Sequence, residues 1–225
     1  MARSKSVRSL LVAYNGFIHK ERLPAQIVSL AKEHGARLHI VNVVPEVPGL
    51  GWRSRMGSAE ELQGALIEER HRALEKLAER ARAQGIGAET KTRVGIAHVE
   101  LIREAMATKS DLLVVTDDPL RRDRGRGFGS TTMKLLRKCP CPVWVIRSPA
   151  KRKRRRIMAA VDLGPRGTEA SLPNHRIIEL ATLFARDKGS TLYAFHAWSL
   201  WGEQVLRGRG GVHEAELHEL LVQTK

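Results

Sequence analysis

Ser9 to Tyr14 (SLLVAY) is a continuous apolar run, and it closes on Asn15-Gly16. A strand with one wet face would alternate. This one does not, so it belongs in the interior of a parallel sheet covered on both faces. That requirement constrains everything downstream, because parallel neighbours need long crossovers, which are right-handed and carry helices.

The rest of the sequence supplies those crossovers. Pro24 can open a helix in which Ile27, Val28, Leu30 and Ala31 fall at helical spacing, and Gly35 is placed to end it. A second strand runs from Arg37 to Val44 and stops at Pro45. The segment from Pro45 to Ser58, with two prolines and three glycines, reads as loop. A long amphipathic helix is expected over 59–83, with Leu62, Leu66, His71, Leu74, Leu77 and Ala81 on its packing face. A strand over 86–94, a helix over 97–108 and a buried strand over 111–116 follow. A helix from Gly129 to Arg137 and a last strand from Val143 to Arg147, entered through Pro140 and Pro142, complete the set. The fold class is therefore α/β, a doubly wound parallel five-stranded sheet, in which ligands bind beyond the carboxyl ends of the strands.

After the basic run KRKRRR, Lys151 to Arg156, the pattern starts again. Ile157 to Asp162 mirrors Leu10 to Asn15, Leu172-Pro173 mirrors Leu23-Pro24, and Gly189 to His196 mirrors Gly35 to Asn42, with an offset that drifts by only a few residues. The expected organisation is one complete domain over 1–149, a basic linker over 150–156, and the N-terminal half of a second copy over 157–225, with a short helix over 212–222. The incomplete copy reads as a half domain or as a truncated reading frame.

A formal charge of +15 raises the question of nucleic acid. The positive charge is concentrated in Lys151 to Arg156 and in Arg121, Arg122, Arg124 and Arg126. Neither cluster has interleaved aromatics for base stacking, so a solvated basic surface is the preferred reading and a nucleic-acid-binding protein an alternative. No apolar run approaches the ~18 residues of a membrane span. The N-terminal apolar stretch is too short for a secretory signal. The chain reads as cytoplasmic. Its two cysteines, Cys139 and Cys141, flank one proline, too close for an ordinary structural disulfide and too few for a four-ligand zinc site. A redox or metal reading of the Cys-Pro-Cys turn is open, beside burial of Cys141 in the turn.

The segment from Thr116 to Arg147 (TDDPLRRDRGRGFGSTTMKLLRKCPCPVWVIR) resembles the nucleotide-loop end of the universal stress protein family, whose pattern is Gly-x2-Gly-x9-Gly-(Ser/Thr), a helix, and a short strand after a Pro-Cys-Pro turn. Gly129 and Ser130 match the end of that pattern; Lys134, Leu136, Arg137, Pro140, Cys141, Pro142 and Val143 continue it. The resemblance implies an adenine-nucleotide alpha-hydrolase-like, Rossmann-like fold of the tandem type with a truncated second domain. It implies a cofactor site for ATP with magnesium formed by Asn15, Val43, Thr116, Gly129, Ser130, Thr131 and Thr132, with Asp162 as the corresponding residue of the second copy. Backbone N–H groups at a helix start suit phosphate. Two departures weaken the site: Thr116 and Pro119 stand where the family has its first two glycines, and Asn15 stands where nucleotide-binding members have an aspartate. Proline has no N–H to give.

His196 reads as a core or strand-end histidine before it reads as a ligand, and His213 and His218 are spaced wrongly for one helical face. No catalytic constellation and no metal site emerges. The expected function is a non-enzymatic stress-response or regulatory scaffold with a degenerate nucleotide site. An ATP-binding protein with slow or no ATPase activity is the alternative. Family members pair through the last strand, so a homodimer through Val143 to Arg147 is expected, with Trp144 and Ile146 alternating on it.

Overall fold

A computed structural model of the chain describes residues 7–14, 23–47, 59–116, 128–146, 156–162, 171–186 and 190–197. The chain divides into two compact units, Lys5–Lys153 and Arg154–Lys225 with Met1–Ser4. In the first unit the elements are β1 (Ser9–Tyr14), α1 (Ala25–His34), β2 (Arg37–Val44), α2 (Ala59–Arg82), β3 (Ala88–Val94), α3 (Ala97–Ala107), β4 (Leu112–Thr116), α4 (Ser130–Lys138) and β5 (Val143–Ile146). All four strand pairings are parallel, in the order β3-β2-β1-β4-β5. The order reverses between β1 and β4, which makes their carboxyl ends the topological switch point.

Consecutive residues of β3 show how the two faces are covered. Thr90 Oγ1 donates to Glu75 of α2 at 2.7 Å, while its neighbour Lys91 and, two residues further on, Arg93 donate to Glu104 of α3 at 3.0 and 2.9 Å. Adjacent strand residues point to opposite faces, so α2 and α3 lie on opposite sides of the sheet. One core joins Leu11, Ala13, Val41, Leu113 and Val115 to Leu101 and Ala105 of α3 and Leu135 of α4. The alternate residues Leu10, Val12, Leu38 and Ile40 are buried toward the other face, where α2 buries Leu74, Leu77 and Ala78. β1 is buried along nearly its whole length, as a continuous apolar run requires.

Helix ends are set by local chemistry. Gly35 takes φ +60° at the end of α1, a left-handed conformation that costs glycine little. Gly95, at φ +136°, donates its N–H to Val44 O at 3.0 Å. That bond pins the β3–α3 turn to the end of β2 and sets where α3 begins.

Three expectations need correction. The strand expected from Ile86 starts at Ala88, although Ile86 is itself buried. His71, expected on the packing face of α2, is exposed. A step of five residues from Leu66 turns the helix by about 140° beyond a full turn, whereas a step of four returns to nearly the same face, so Arg70 occupies the position assigned to His71. Cys141, expected to be buried in its turn, is only half-buried, as is Cys139.

The second unit contains β6 (Arg156–Ala160), α5 (Ser171–Arg186) and β7 (Thr191–Phe195), with β6 and β7 parallel. The helix expected over 212–222, with His213 and His218, lies outside the described residues. No helix among the described residues is long and apolar enough to cross a membrane.

Glu104 links this fold to pH. Burial pushes its carboxyl up, but hydrogen bonds from Lys91 and Arg93, and then their charges, outweigh it and hold the pKa below the ordinary carboxylate value. A carboxyl whose pKa is depressed by folding contributes stability above its unfolded pKa and loses it as pH falls through the folded value. Glu104→Gln is therefore expected to be less stable than the wild type at neutral pH, with the gap closing between about pH 5 and about pH 3. Urea denaturation at several pH values reads this, and a gap that did not change with pH would reject the account.

Candidate functional site

A cleft of about 500 Å³ opens where the sheet order reverses, within the range of about 300–1,000 Å³ usual for small-ligand sites. Its floor is formed by the ends of three strands, at Tyr14, Val44 and Thr116. Gly129 to Thr132, at the start of α4, form one wall. Ala97 and Leu101 of α3 contribute a second, and Leu66 and Arg70 of α2 a third.

The α4 wall is the polar one. Its first intrahelical bond runs from Met133 N–H to Gly129 O at 3.0 Å. The N–H groups of Ser130, Thr131 and Thr132 therefore precede the helical ladder and are the orphan donors of this helix start. The helix dipole adds positive potential there, and the first turn carries no acidic residue. Gly129 caps the helix at φ −60°, ψ 156°, extended backbone that any residue adopts. Glycine is thus not required there for its conformational freedom. Thr132 is buried, which anchors the helix start to the core. Among the described residues of the lining, Arg70 is the cationic side chain.

The floor is held by a buried polar contact. Asn42 pairs with Tyr14 across the β1–β2 ladder, and its Nδ2 donates to the Tyr14 carbonyl oxygen at 2.7 Å. This satisfies the carbonyl of the last residue of β1. Nearby, His98 at the start of α3 is held below its ordinary pKa, first by burial and then by the charges of Lys134 and Lys138, so it is neutral at neutral pH.

Six of the eight site residues read from the sequence line this cleft: Val43, Thr116, Gly129, Ser130, Thr131 and Thr132. Asn15 lies outside the described residues, although Tyr14 beside it is part of the lining. So do Asp117, Asp118, Pro119 and the arginines from Arg121 to Arg126. Asp162 is in the second unit, just after β6. There its N–H donates to Asn174 Oδ1 at 3.0 Å and its carbonyl accepts from Asn174 Nδ2. Arg70, Asn42 and Leu66 were missed by the sequence reading. The signal for Arg70 was available, since it continues the face marked by Leu62 and Leu66. Among the described residues no group of three His, Cys, Asp or Glu side chains is placed to hold a metal ion.

The family model described as the universal stress protein family matches residues 6–147. This chain belongs to the universal stress protein family. A universal stress protein of Methanocaldococcus jannaschii is 28% identical over 124 residues, which are 55% of this chain and 72% of that protein. One from Thermus aquaticus is 27% identical over 151 residues, covering 62% of this chain and 98% of that protein. Among solved structures, a functionally unknown protein of Pseudomonas aeruginosa aligns with a TM-score of 0.58 at 21% identity, over 92% of this chain and 66% of its own. The universal stress protein UspA of Lactobacillus plantarum aligns at 0.50 and 21%, over 63% of this chain and 98% of its own. At these identities the structural likeness establishes the fold.

Proposed function

We propose that this universal stress protein is a non-enzymatic stress-response or regulatory scaffold whose switch-point cleft takes an adenine nucleotide weakly, with magnesium accompanying a polyphosphate. The observation that carries this reading is the meeting of the α4 donors with Arg70 across one cleft. Such a set favours an anion held by backbone N–H groups and one guanidinium. Weak affinity follows from the upstream half of the phosphate loop. Thr116 ends a regular strand, and Pro119 has no N–H to offer where the family has glycine. Residence in the cytoplasm is part of the proposal and suits two free thiols.

The same proposal includes a homodimer. β5 is the terminal strand in the order of the described five-stranded sheet, and it is short and apolar, with Val143 and Val145 half-buried. A terminal strand of that composition favours pairing with a second copy. Arg147, expected in the same strand, lies outside the described residues.

Residues 157–225 belong to the proposal as the first half of a second copy of the domain. In the first unit Asn42, near the end of β2, reaches back to the carbonyl ending β1. In the second unit His196, just past β7, places Nδ1 3.0 Å from Val161 O, just past β6. These residues correspond in the sequence repeat. An experimental structure in which α5 failed to connect β6 and β7 as parallel neighbours would remove this part of the reading.

Native mass spectrometry of the full chain, with and without millimolar ATP and Mg²⁺, tests the nucleotide and the dimer together. The expected spectrum is a dimer that gains one ATP mass per protomer without conversion to ADP. A monomer at every concentration would reject the edge-strand interface. Failure to gain nucleotide at millimolar ATP would reject the cleft assignment, and ADP accumulating with time would reject the non-enzymatic role.

A further inference from the structure

The turn between α4 and β5 carries chemistry that the nucleotide reading does not use. Cys139 caps the C-terminal end of α4, where its N–H donates to Leu135 O at 2.9 Å. Cys141 leads through Pro142 into β5, and the Pro142 carbonyl accepts the Leu113 N–H at 3.0 Å. The chain is thus fixed on both sides of Pro140. The two sulfurs are held 3.5 Å apart. Both are half-buried, so a small oxidant can reach them while the rest of each side chain packs against the core around Leu113 and Leu135.

The pair is electronically unequal. The hydrogen bond between the two sulfurs lowers the Cys139 pKa to about 7, against burial, which pushes it up. The same contact, burial and the negative charge of Cys139 push Cys141 well up. Cys139 is therefore the sulfur that ionises first, with the Cys141 thiol in contact with it. Thiolate is the nucleophilic form.

We propose that Cys139 and Cys141 form a hydroperoxide-reactive dithiol that closes reversibly to an intramolecular disulfide, Cys139 attacking and Cys141 resolving. In the first step the Cys139 thiolate attacks one peroxide oxygen. A sulfur–oxygen bond forms, the oxygen–oxygen bond breaks, and the departing alkoxide or hydroxide takes up a proton, leaving Cys139 as sulfenic acid. In the second, the Cys141 sulfur attacks the Cys139 sulfur. The sulfur–sulfur bond forms, the sulfur–oxygen bond breaks, and hydroxide leaves with the Cys141 proton as water. Two thiols are oxidised by two electrons and one hydroperoxide is reduced to an alcohol, or to water when the oxidant is hydrogen peroxide.

Geometry makes this bond labile. The sulfurs must close from 3.5 Å to the ~2.05 Å of a disulfide, across a single proline anchored on both sides. A bond formed under such constraint is easily reduced, which suits a switch better than a staple. The proposal is independent of whether a nucleotide occupies the cleft.

The test uses the full chain, reduced, freed of reductant and treated with one equivalent of hydrogen peroxide. Because these are its only cysteines, intact mass after thiol alkylation reads the product without ambiguity. The expected product has lost two hydrogens, resists alkylation at both positions, and recovers both thiols with dithiothreitol. Cys141→Ser is expected to stop at a sulfenic acid that dimedone traps, and Cys139→Ser to react at least about tenfold more slowly, having lost the thiolate. The folded chain should also react at least about tenfold faster than the same chain in urea, where no fold lowers the Cys139 pKa. Unchanged thiols, sulfinic acid at one equivalent, disulfides between chains, or equal rates folded and unfolded would each overturn the proposal.

Discussion

Leu135→Ala is expected to cost the first unit about 2–5 kcal/mol, the range for emptying a well-packed leucine site. Leu135 has 0% of its surface exposed and lies among Leu11, Val41, Leu101, Leu113 and Val115. A domain of this size commonly holds only about 5–15 kcal/mol in total, so the loss is a large share of it. The consequence should fall unevenly. The nine residues of α4 are fewer than the ~12–15 an isolated helix needs, so α4 depends on its packing, and Leu135 and Thr132 are its two buried residues. Because α4 also supplies the polar wall of the cleft, the substitution should loosen the site before it unfolds the sheet. Urea denaturation gives the global loss, and hydrogen exchange of the Met133 to Lys138 amides gives the local one. A loss below about 1 kcal/mol, or exchange in α4 no faster than in the wild type, would mean that the helix is held by something other than this contact.

The sheet could be read from sequence where burial on both faces left no choice of period. β1 and β2 run over the residues read for them, because a continuous apolar run bounded by Asn-Gly or Pro admits few alternatives. The start of β3 was misread because Ile86 is buried without being in the strand, and hydrophobicity alone does not distinguish those cases. Asn42 was passed over because a polar residue in a buried strand carries no mark of its partner. Tyr14, whose carbonyl it satisfies, is 28 residues away in sequence. The helix start at Gly129 to Thr132 was legible, since small and hydroxylated residues before an amphipathic run form a local pattern. The other walls were not, because Ala97 and Arg70 come from separate crossovers and meet only when the sheet order reverses. Arg70 is the instructive miss: a one-residue error in helical phase moved attention to His71, which is exposed, and away from the guanidinium that lines the cleft.

That guanidinium gives the sharpest test of the site, because it can be changed without disturbing the core. Arg70 is partly exposed on α2, one turn N-terminal to the buried stretch that begins at Leu74. Arg70→Glu should therefore leave stability within about 0.5 kcal/mol of the wild type, as surface substitutions usually do. Its effect on an anion in the cleft should be much larger. A hydrogen bond to a charged group contributes about 1.5–3 kcal/mol, and reversal replaces that attraction with repulsion in a partly enclosed site. Nucleotide affinity is expected to fall at least about tenfold to a hundredfold, with ATP affected more than adenosine because the interaction is with phosphate. Arg70→Lys should retain part of the affinity, keeping the charge while losing the planar fork. Calorimetric titration of the three proteins with ATP and with adenosine separates the possibilities. Equal loss for both ligands would place Arg70 against the nucleoside instead of the phosphates, and unchanged ATP affinity in Arg70→Glu would remove α2 from the site and leave the phosphate to α4 alone.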